Sequence, residues 1–348
     1  LILLINSAVY AEGVSNPGDL AGFGSSARTS GMGGAFTSIA DDPSAVIYNP
    51  AGLSQISKTQ LNAFYSPMFL NTRCGAVEFA HPTRKFGVLG FGWIKLASGG
   101  FEARKGPEED PSMFDVSDQM GIIGYSYRLG RFLSVGLNAK YRRKEVYNES
   151  ANSFGADAAV MVKNFAEEEK AVVYPENIFI RHLKKMSFGA VFQDAVATKS
   201  RLKNLDEKYP MVRRWGVSYL AERKDGSALV LSYDLEDSLY PDKTHHVGAE
   251  YFLNKMISLR TGYQNDALSL GFGVSYDNYL LDYSLSAHDL GVIQKFSLGM
   301  RFGRTMEELQ EIRRTNIEKM TRKQAKLLSG QYYTQGMDQY SAKKYKEA

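Results

Sequence analysis

The chain has 348 residues, 44% of them hydrophobic, and its 42 Lys and Arg against 38 Asp and Glu give a net charge of +4 at pH 7. This composition excludes a disordered chain, and with the charges dispersed and no long basic run it provides no footprint for nucleic acid. A single cysteine, Cys74, excludes an intrachain disulfide framework and a cysteine-based zinc site, whereas 32 Gly, 21 Tyr and 19 Phe beside only 2 Trp point to strands.

Residues 1–9 are apolar, and Val9-Tyr10-Ala11 follow before Glu12, as at the end of a secretory signal with small residues at its cleavage site. The sequence is expected to start inside that signal, so 1–11 are set apart from the fold. Residues 12–58 carry Ala27-Arg28-Thr29-Ser30-Gly31-Met32-Gly33-Gly34-Ala35-Phe36, then Asp41-Asp42-Pro43-Ser44-Ala45, then Tyr48-Asn49-Pro50-Ala51-Gly52-Leu53. Asp42-Pro43 and Asn49-Pro50 each place a good cap before a proline, which predicts two short helical turns. The small residues around them permit close backbone packing.

From 59 to 302 the chain resolves into segments of about ten residues with period-two alternation. Leu133, Val135, Leu137, Ala139 and Tyr141 share one face, with Ser134, Gly136, Asn138 and Lys140 on the other. The same division separates Leu268, Leu270, Phe272, Val274 and Tyr276 from Ser269, Gly271, Gly273 and Ser275. Strands are predicted at 59–69, 73–81, 85–97, 117–129, 131–146, 151–164, 186–194, 211–222, 227–236, 243–253, 255–264, 268–276, 278–288 and 291–302. Tight turns at 82–84, 129–131, 224–226, 254–255 and 277–278 belong on one rim, and the longer stretches 98–116 and 195–210 on the other. The 165–185 connection is long where a short turn is expected, which marks either an insertion or a slip in the strand count.

No stretch reaches the roughly 20 apolar residues of a spanning helix, so a membrane can be crossed here only by strands. The fold class that follows is all-β: a transmembrane up-and-down antiparallel barrel of about fourteen strands. The compact, glycine-rich segment 12–58 is too small to be a domain, and it would fit as a hatch in a lumen lined by small polar residues. Residues 303–348 turn charged and helical. Within them Gly336, Tyr345 and Ala348 fall at the spacing of the first helix of a tetratricopeptide repeat, with further repeats expected downstream, or else they belong to a plain amphipathic tail.

The Gly-Met-Gly-Gly-Ala-Phe run, the two aspartates and the Asn-Pro-Ala-Gly-Leu motif resemble the N-terminal region of the PorV/PorQ family and, more distantly, the FadL family of long-chain fatty acid transporters. The resemblance implies a fourteen-stranded barrel of the Gram-negative outer membrane with a lumenal hatch. Gly31, Gly33, Gly34, Asp41, Asp42, Asn49, Pro50, Ala51 and Gly52 would line that hatch, Asn49 to Ala51 lying near the strand wall. FadL-like members move hydrophobic molecules through a lateral opening, whereas PorV-like members serve type IX secretion as adaptors for exported cargo. Gly52-Leu53 after Asn-Pro-Ala and the shorter chain depart from the fatty acid transporters.

Other signals carry little. Gly31-Met32-Gly33-Gly34 has no strand before it and no Lys-Ser/Thr after it, so it is not read as a phosphate loop. His245 and His246 fall on opposite faces of a strand, and no metal is expected. Asp41-Asp42 are read as helix caps in preference to an acid and base pair. No Ser/His/Asp constellation stands out, so neither an enzyme nor a cofactor is expected. Three readings stay open: a transporter of hydrophobic molecules, a secretion adaptor whose periplasmic tail binds proteins, and a soluble all-β protein, because alternation does not say whether the greasy face meets lipid or a core. The first two place the barrel among outer-membrane lipids with its C-terminal extension in the periplasm.

Overall fold

The computed structural model describes residues 20–83, 85–103, 110, 112–147, 149–163, 182–196, 199–202, 205–238, 243–264, 266–288 and 290–346. The expected signal remnant, residues 12–19 of the expected hatch, most of the 165–185 connection and Ala348 lie outside the described residues.

Strands β1 (Thr59–Pro67), β2 (Thr72–Pro82), β3 (Val88–Ala103), β4 (Ser112–Leu129), β5 (Leu133–Val146), β6 (Glu149–Lys163) and β7 (Met186–Gln193) form half of a sheet. After a small hairpin, β8 (Lys199–Leu202) with β9 (Leu205–Lys208), the sheet continues through β10 (Val212–Glu222), β11 (Ala228–Asp237), β12 (Lys243–Phe252), β13 (Ile257–Gln264), β14 (Ala267–Tyr276), β15 (Tyr279–His288) and β16 (Gly291–Phe302). β1 pairs with β16, Thr59 opposite Phe302, so fourteen antiparallel strands close into a barrel with no free edge. Thr59 and Phe302 define its near end. β6 and β7 pair directly, Ala158 opposite Phe192, so no strand is missing across the 165–185 connection.

Two expectations are corrected at the far end. The stretch 98–116 is mostly ladder and not loop: a bulge between Ser98 and Phe101 absorbs Gly99 and Gly100, and pairing resumes with Phe101 opposite Phe114, their rings 5.5 Å apart. The stretch 195–210 contains the β8–β9 hairpin.

The alternation sorts as the pleat requires. Ser134, Asn138 and Lys140 are buried on the inner face, while Leu137 and Tyr141 are exposed outside. Outward Trp93, Gly121, Tyr141 and Phe154 are successive partners in one row across β3 to β6, and the row beyond it is Lys95, Gln119, Arg143 and Asn152. Apolar character therefore stops abruptly one residue past an aromatic girdle. From that row down β4 to Leu129 is roughly 27 Å along the tilted strand.

Residues 303–348 form a separate unit. It contains one helix, α3 (Met306–Lys346), opened by a capping box in which the Thr305 hydroxyl accepts from the Glu308 amide and the Glu308 carboxylate accepts from the Thr305 amide, each at 3.1 Å. A repeat unit needs a second helix to cover the first, and the described residues hold only one. Tyr345 is fully exposed, and nothing lies close to Gly336.

Candidate functional site

Residues 20–58 pack against the inner face of the barrel, and their local chemistry explains their path. A helical turn, α1 (Ala27–Gly31), ends where Gly33 and Gly34 take left-handed φ values of 62° and 80°, which reverses the chain at little steric cost. Asp42 caps the turn that begins at Pro43, its carboxylate accepting from the Ser44 amide at 2.9 Å and its carbonyl from the Ala45 amide at 3.0 Å, and the turn leads into the helical turn α2 (Ala45–Tyr48). The second expected turn is present: Asn49 caps a 3₁₀ stretch, Pro50–Gln55, its Oδ1 accepting from the Ala51 amide at 3.0 Å while its Nδ2 donates to the Thr37 carbonyl at 2.6 Å. Gly52 passes so close to Ala40 that a Cβ would lie 2.2 Å from the Ala40 oxygen.

A short irregular segment cannot satisfy its own buried backbone groups, and inward side chains of the wall do so from all sides. Asp234 on β11 accepts from the amides of Phe36 (2.9 Å) and Thr37 (2.7 Å). Asn138 on β5 donates to the Val46 carbonyl (2.8 Å) and Gln193 on β7 to that of Ile47 (3.0 Å). The hydroxyls of Ser126 and Ser134 both donate to the Ala51 carbonyl, at 2.9 and 3.0 Å, and Ser297 on β16 accepts from the Ala27 amide at 2.8 Å. His246 Nδ1 lies 2.8 Å from the Gly33 carbonyl, which can only accept, so this nitrogen carries the proton. His245, on the opposite face, meets Tyr233 outside the barrel. Between these fixtures the wall is glycine. A Cβ on Gly136 would lie 2.2 Å from the Ala51 nitrogen, one on Gly189 2.3 Å from the Thr37 oxygen, and one on Gly262 2.0 Å from the Gly33 nitrogen.

The charged centre is Arg28. Its guanidinium grips Glu250 of β12 with two nitrogens, Nη2 to Oε2 at 2.8 Å and Nε to Oε1 at 3.0 Å, and reaches Asp41 at 2.6 Å and Asp42 at 3.0 Å. Glu250 passes the contact on to Arg260 (2.7 Å), which holds Asp282 (2.6 Å). Burial opposes the Arg28 charge, but attraction to Asp41 and Glu250 outweighs it and holds the guanidinium well above its ordinary value. Burial also raises Asp41, yet the Arg28 attraction brings its carboxyl below the usual range; at Asp42 burial wins and the carboxyl sits above it. Thus Asp41 is an ion-pair partner and not the helix cap that was expected.

Below this network, at the near end, a cavity of about 340 Å³ opens between Arg28, Asp41, Asp42, Arg260, Leu280 and Arg301. On the inner wall of β1 to β4, Phe64, Cys74, Ala76, Ile94, Met120 and Ile122 form an apolar arc buried in one cluster with Leu20, Val46, Ile47 and Leu53 of the inner segment, beside the inward polar residues Asn62, Ser66, Glu78 and Ser126.

The structure thus brings Gly31, Gly33, Gly34, Asp41, Asp42, Asn49, Pro50, Ala51 and Gly52 together inside the barrel, while Gly336 and Tyr345 belong to α3 of the other unit. Sequence reasoning passed over Arg28, Glu250, Arg260 and Asp234. Their signal was available, since each strand carboxylate or guanidinium breaks an inward face of small residues.

By sequence, no family profile and no curated protein matches the chain. By structure it is similar to the toluene transporter TbuX of Ralstonia pickettii, with 14% identity, a TM-score of 0.53, and 82% of this chain and 100% of that one covered. It is also similar to the monoaromatic hydrocarbon channel CymD (13%, 0.53, 83% and 100%) and to the toluene transporter TodX of P. putida (11%, 0.51, 82% and 100%). At such identity the likeness establishes the fold: a closed fourteen-stranded barrel.

Proposed function

We propose that this chain is an outer-membrane channel for small hydrophobic molecules, with residues 20–58 as its hatch. The observation that carries the reading is the apolar arc of β1 to β4 inside the bore. Ile94, Met120 and Ile122 are covered by the inner segment, so a shift of that segment would uncover an apolar surface against which a hydrophobic solute gains about 25 cal/mol for each Å² it hides. The abrupt aromatic girdle outside supports a barrel seated in lipid, and the similar structures are named as hydrocarbon channels and transporters. With both Thr59 and Phe302 at the near end, that end would be the one to face the periplasm.

Solute entering from the far end would meet the hatch, and a local shift of the Leu20–Phe23 turn or of Gly33-Gly34 would uncover the arc and open the way onward. Uptake of a labelled long-chain fatty acid and of a monoaromatic hydrocarbon, in cells with and without the chain, tests this. A several-fold drop on deletion for at least one solute, restored by the wild-type chain, is expected. Unchanged uptake of both would overturn the proposal.

One observation favours a second reading, an adaptor for secretion. The wall binds the inner segment at so many backbone groups that the bore is corked as tightly as a core, which suits a scaffold that never opens. In that case exported cargo, held at the far-end extension of β3 to β6, would be lost from the cell surface on deletion while solute uptake stayed the same.

A further inference from the structure

The near-end rim repeats one small device. Three separate turns each place a basic residue directly before a large apolar one: Lys85-Phe86 between β2 and β3, Arg131-Phe132 between β4 and β5, and Lys255-Met256 between β12 and β13. All three apolar side chains are exposed, Phe86 by 75%, Phe132 by 52% and Met256 by 48%. The turns are built to hold them there. The Thr83 hydroxyl accepts from the Phe86 amide at 3.1 Å, and Asn254 Oδ1 accepts from the amides of Met256 (2.8 Å) and Ile257 (2.9 Å). The Arg131 guanidinium lies 5.4 Å from the Phe132 ring centre. Asp225 and Asp277 are the acids of the neighbouring short turns, and Arg223 stands 4.0 Å from Asp225. At the far end, the described residues of the tight turns, 69–71, Tyr147, Asp266 and Leu290, include no lysine or arginine, and the cations there, such as Lys95 and Arg143, stand on the strands.

An apolar side chain exposed beside a cation at the foot of an apolar wall suits one environment, the boundary between acyl chains and phosphates. We propose that this rim docks anionic phospholipid headgroups, the apolar member of each pair entering the acyl region and the cation pairing with a phosphate. The inference rests on the membrane-spanning reading above. It adds that the periplasmic leaflet around the barrel is selected by charge, which would hold the near end at a fixed depth while the hatch above it moves.

The test uses the full chain reconstituted into vesicles of phosphatidylcholine alone and of phosphatidylcholine with about 20% phosphatidylglycerol. After re-extraction, the lipid that stays with the protein is weighed by mass spectrometry. The wild type should retain phosphatidylglycerol at about twofold or more its share of the bilayer. The triple variant Lys85→Gln, Arg131→Gln, Lys255→Gln should lose that enrichment, and Lys85→Arg with Lys255→Arg should keep it. Free glycerol 3-phosphate should not displace the lipid, because it offers nothing to the apolar member. Equal retention by wild type and triple variant, no enrichment in the wild type, or displacement by glycerol 3-phosphate would each overturn the proposal. Insertion into phosphatidylcholine alone is independent of it: a chain that stays outside both vesicles overturns the membrane-spanning reading itself.

Discussion

Arg28 and Glu250, 222 residues apart in sequence, meet in a two-pronged ion pair that ties the inner segment to strand β12. Asp41 and Asp42 close on the same guanidinium from within the inner segment, so one cation answers three carboxylates.

Removing that cation is expected to be costly, since breaking a buried pair leaves its partners uncompensated, at about 3–5 kcal/mol. Arg28→Gln should lower the temperature of heat-modifiable migration and make residues 20–58 sensitive to protease. A variant as resistant as the wild type would show that the network is not what retains the segment.

The glycine girdle gives a steric test with an internal control. Gly136→Val and Gly262→Val put methyl groups where hatch backbone atoms stand, so barrel yield or hatch insertion should fall sharply. Gly121→Ala meets nothing within 4 Å and should change stability by no more than about 0.5 kcal/mol. Equal behaviour of all three would remove the hatch from the girdle.

Asp234 accepts from two consecutive amides, and Asp234→Ala orphans both. About 1–3 kcal/mol for each unsatisfied donor is the expected penalty. Hydrogen exchange at Phe36 and Thr37 should speed up by orders of magnitude, with the Ala51 amide unaffected because it donates to Asn49 Oδ1 instead.

Acid should release residues 20–58 only late. Asp42, raised by burial, takes up its proton first as pH falls, and the folded state gains from that step. Asp41, lowered by Arg28 against its burial, stabilises fully above its unfolded value near 4 and loses that contribution as pH drops through the lowered folded value. Its side chain is 38% exposed to the mouth cavity, so water there softens the effect. An acid-stable protease should therefore leave the segment intact down to about pH 4 and cut it increasingly below about pH 3. Asp41→Asn should move the onset to higher pH more than Asp42→Asn does.

The chain's only two tryptophans, Trp93 and Trp215, both stand exposed on the outer wall. In vesicles their emission should be quenched by brominated acyl chains and spared by iodide. The reverse pattern would mean that the greasy face meets water or another protein.

Much of this molecule was legible before any coordinates. Leu133 to Tyr141 declared which face was which because a strand's side chains alternate whatever they pack against, and an even strand count returned the chain to its starting rim. The ladder beyond Ser98 was missed because Gly99 and Gly100 read as a break, whereas a bulge let Phe101 and Phe114 resume pairing. The aspartates of 41–42 were read locally, as caps, since the sequence does not display a cation brought from thirteen residues upstream and a carboxylate from β12.

The sequence by itself determined the period, the number of strands and the presence of a compact glycine-rich segment ahead of them, since these depend on backbone geometry and neighbours along the chain. Only the tertiary structure decided that Arg28 should answer Glu250, that Asp234 should satisfy Phe36 and Thr37, and that an apolar arc should lie on the inner wall of β1 to β4. Those choices arise when closure of β1 on β16 sets strands far apart in sequence around one enclosed space, where every buried charge and amide must find a partner.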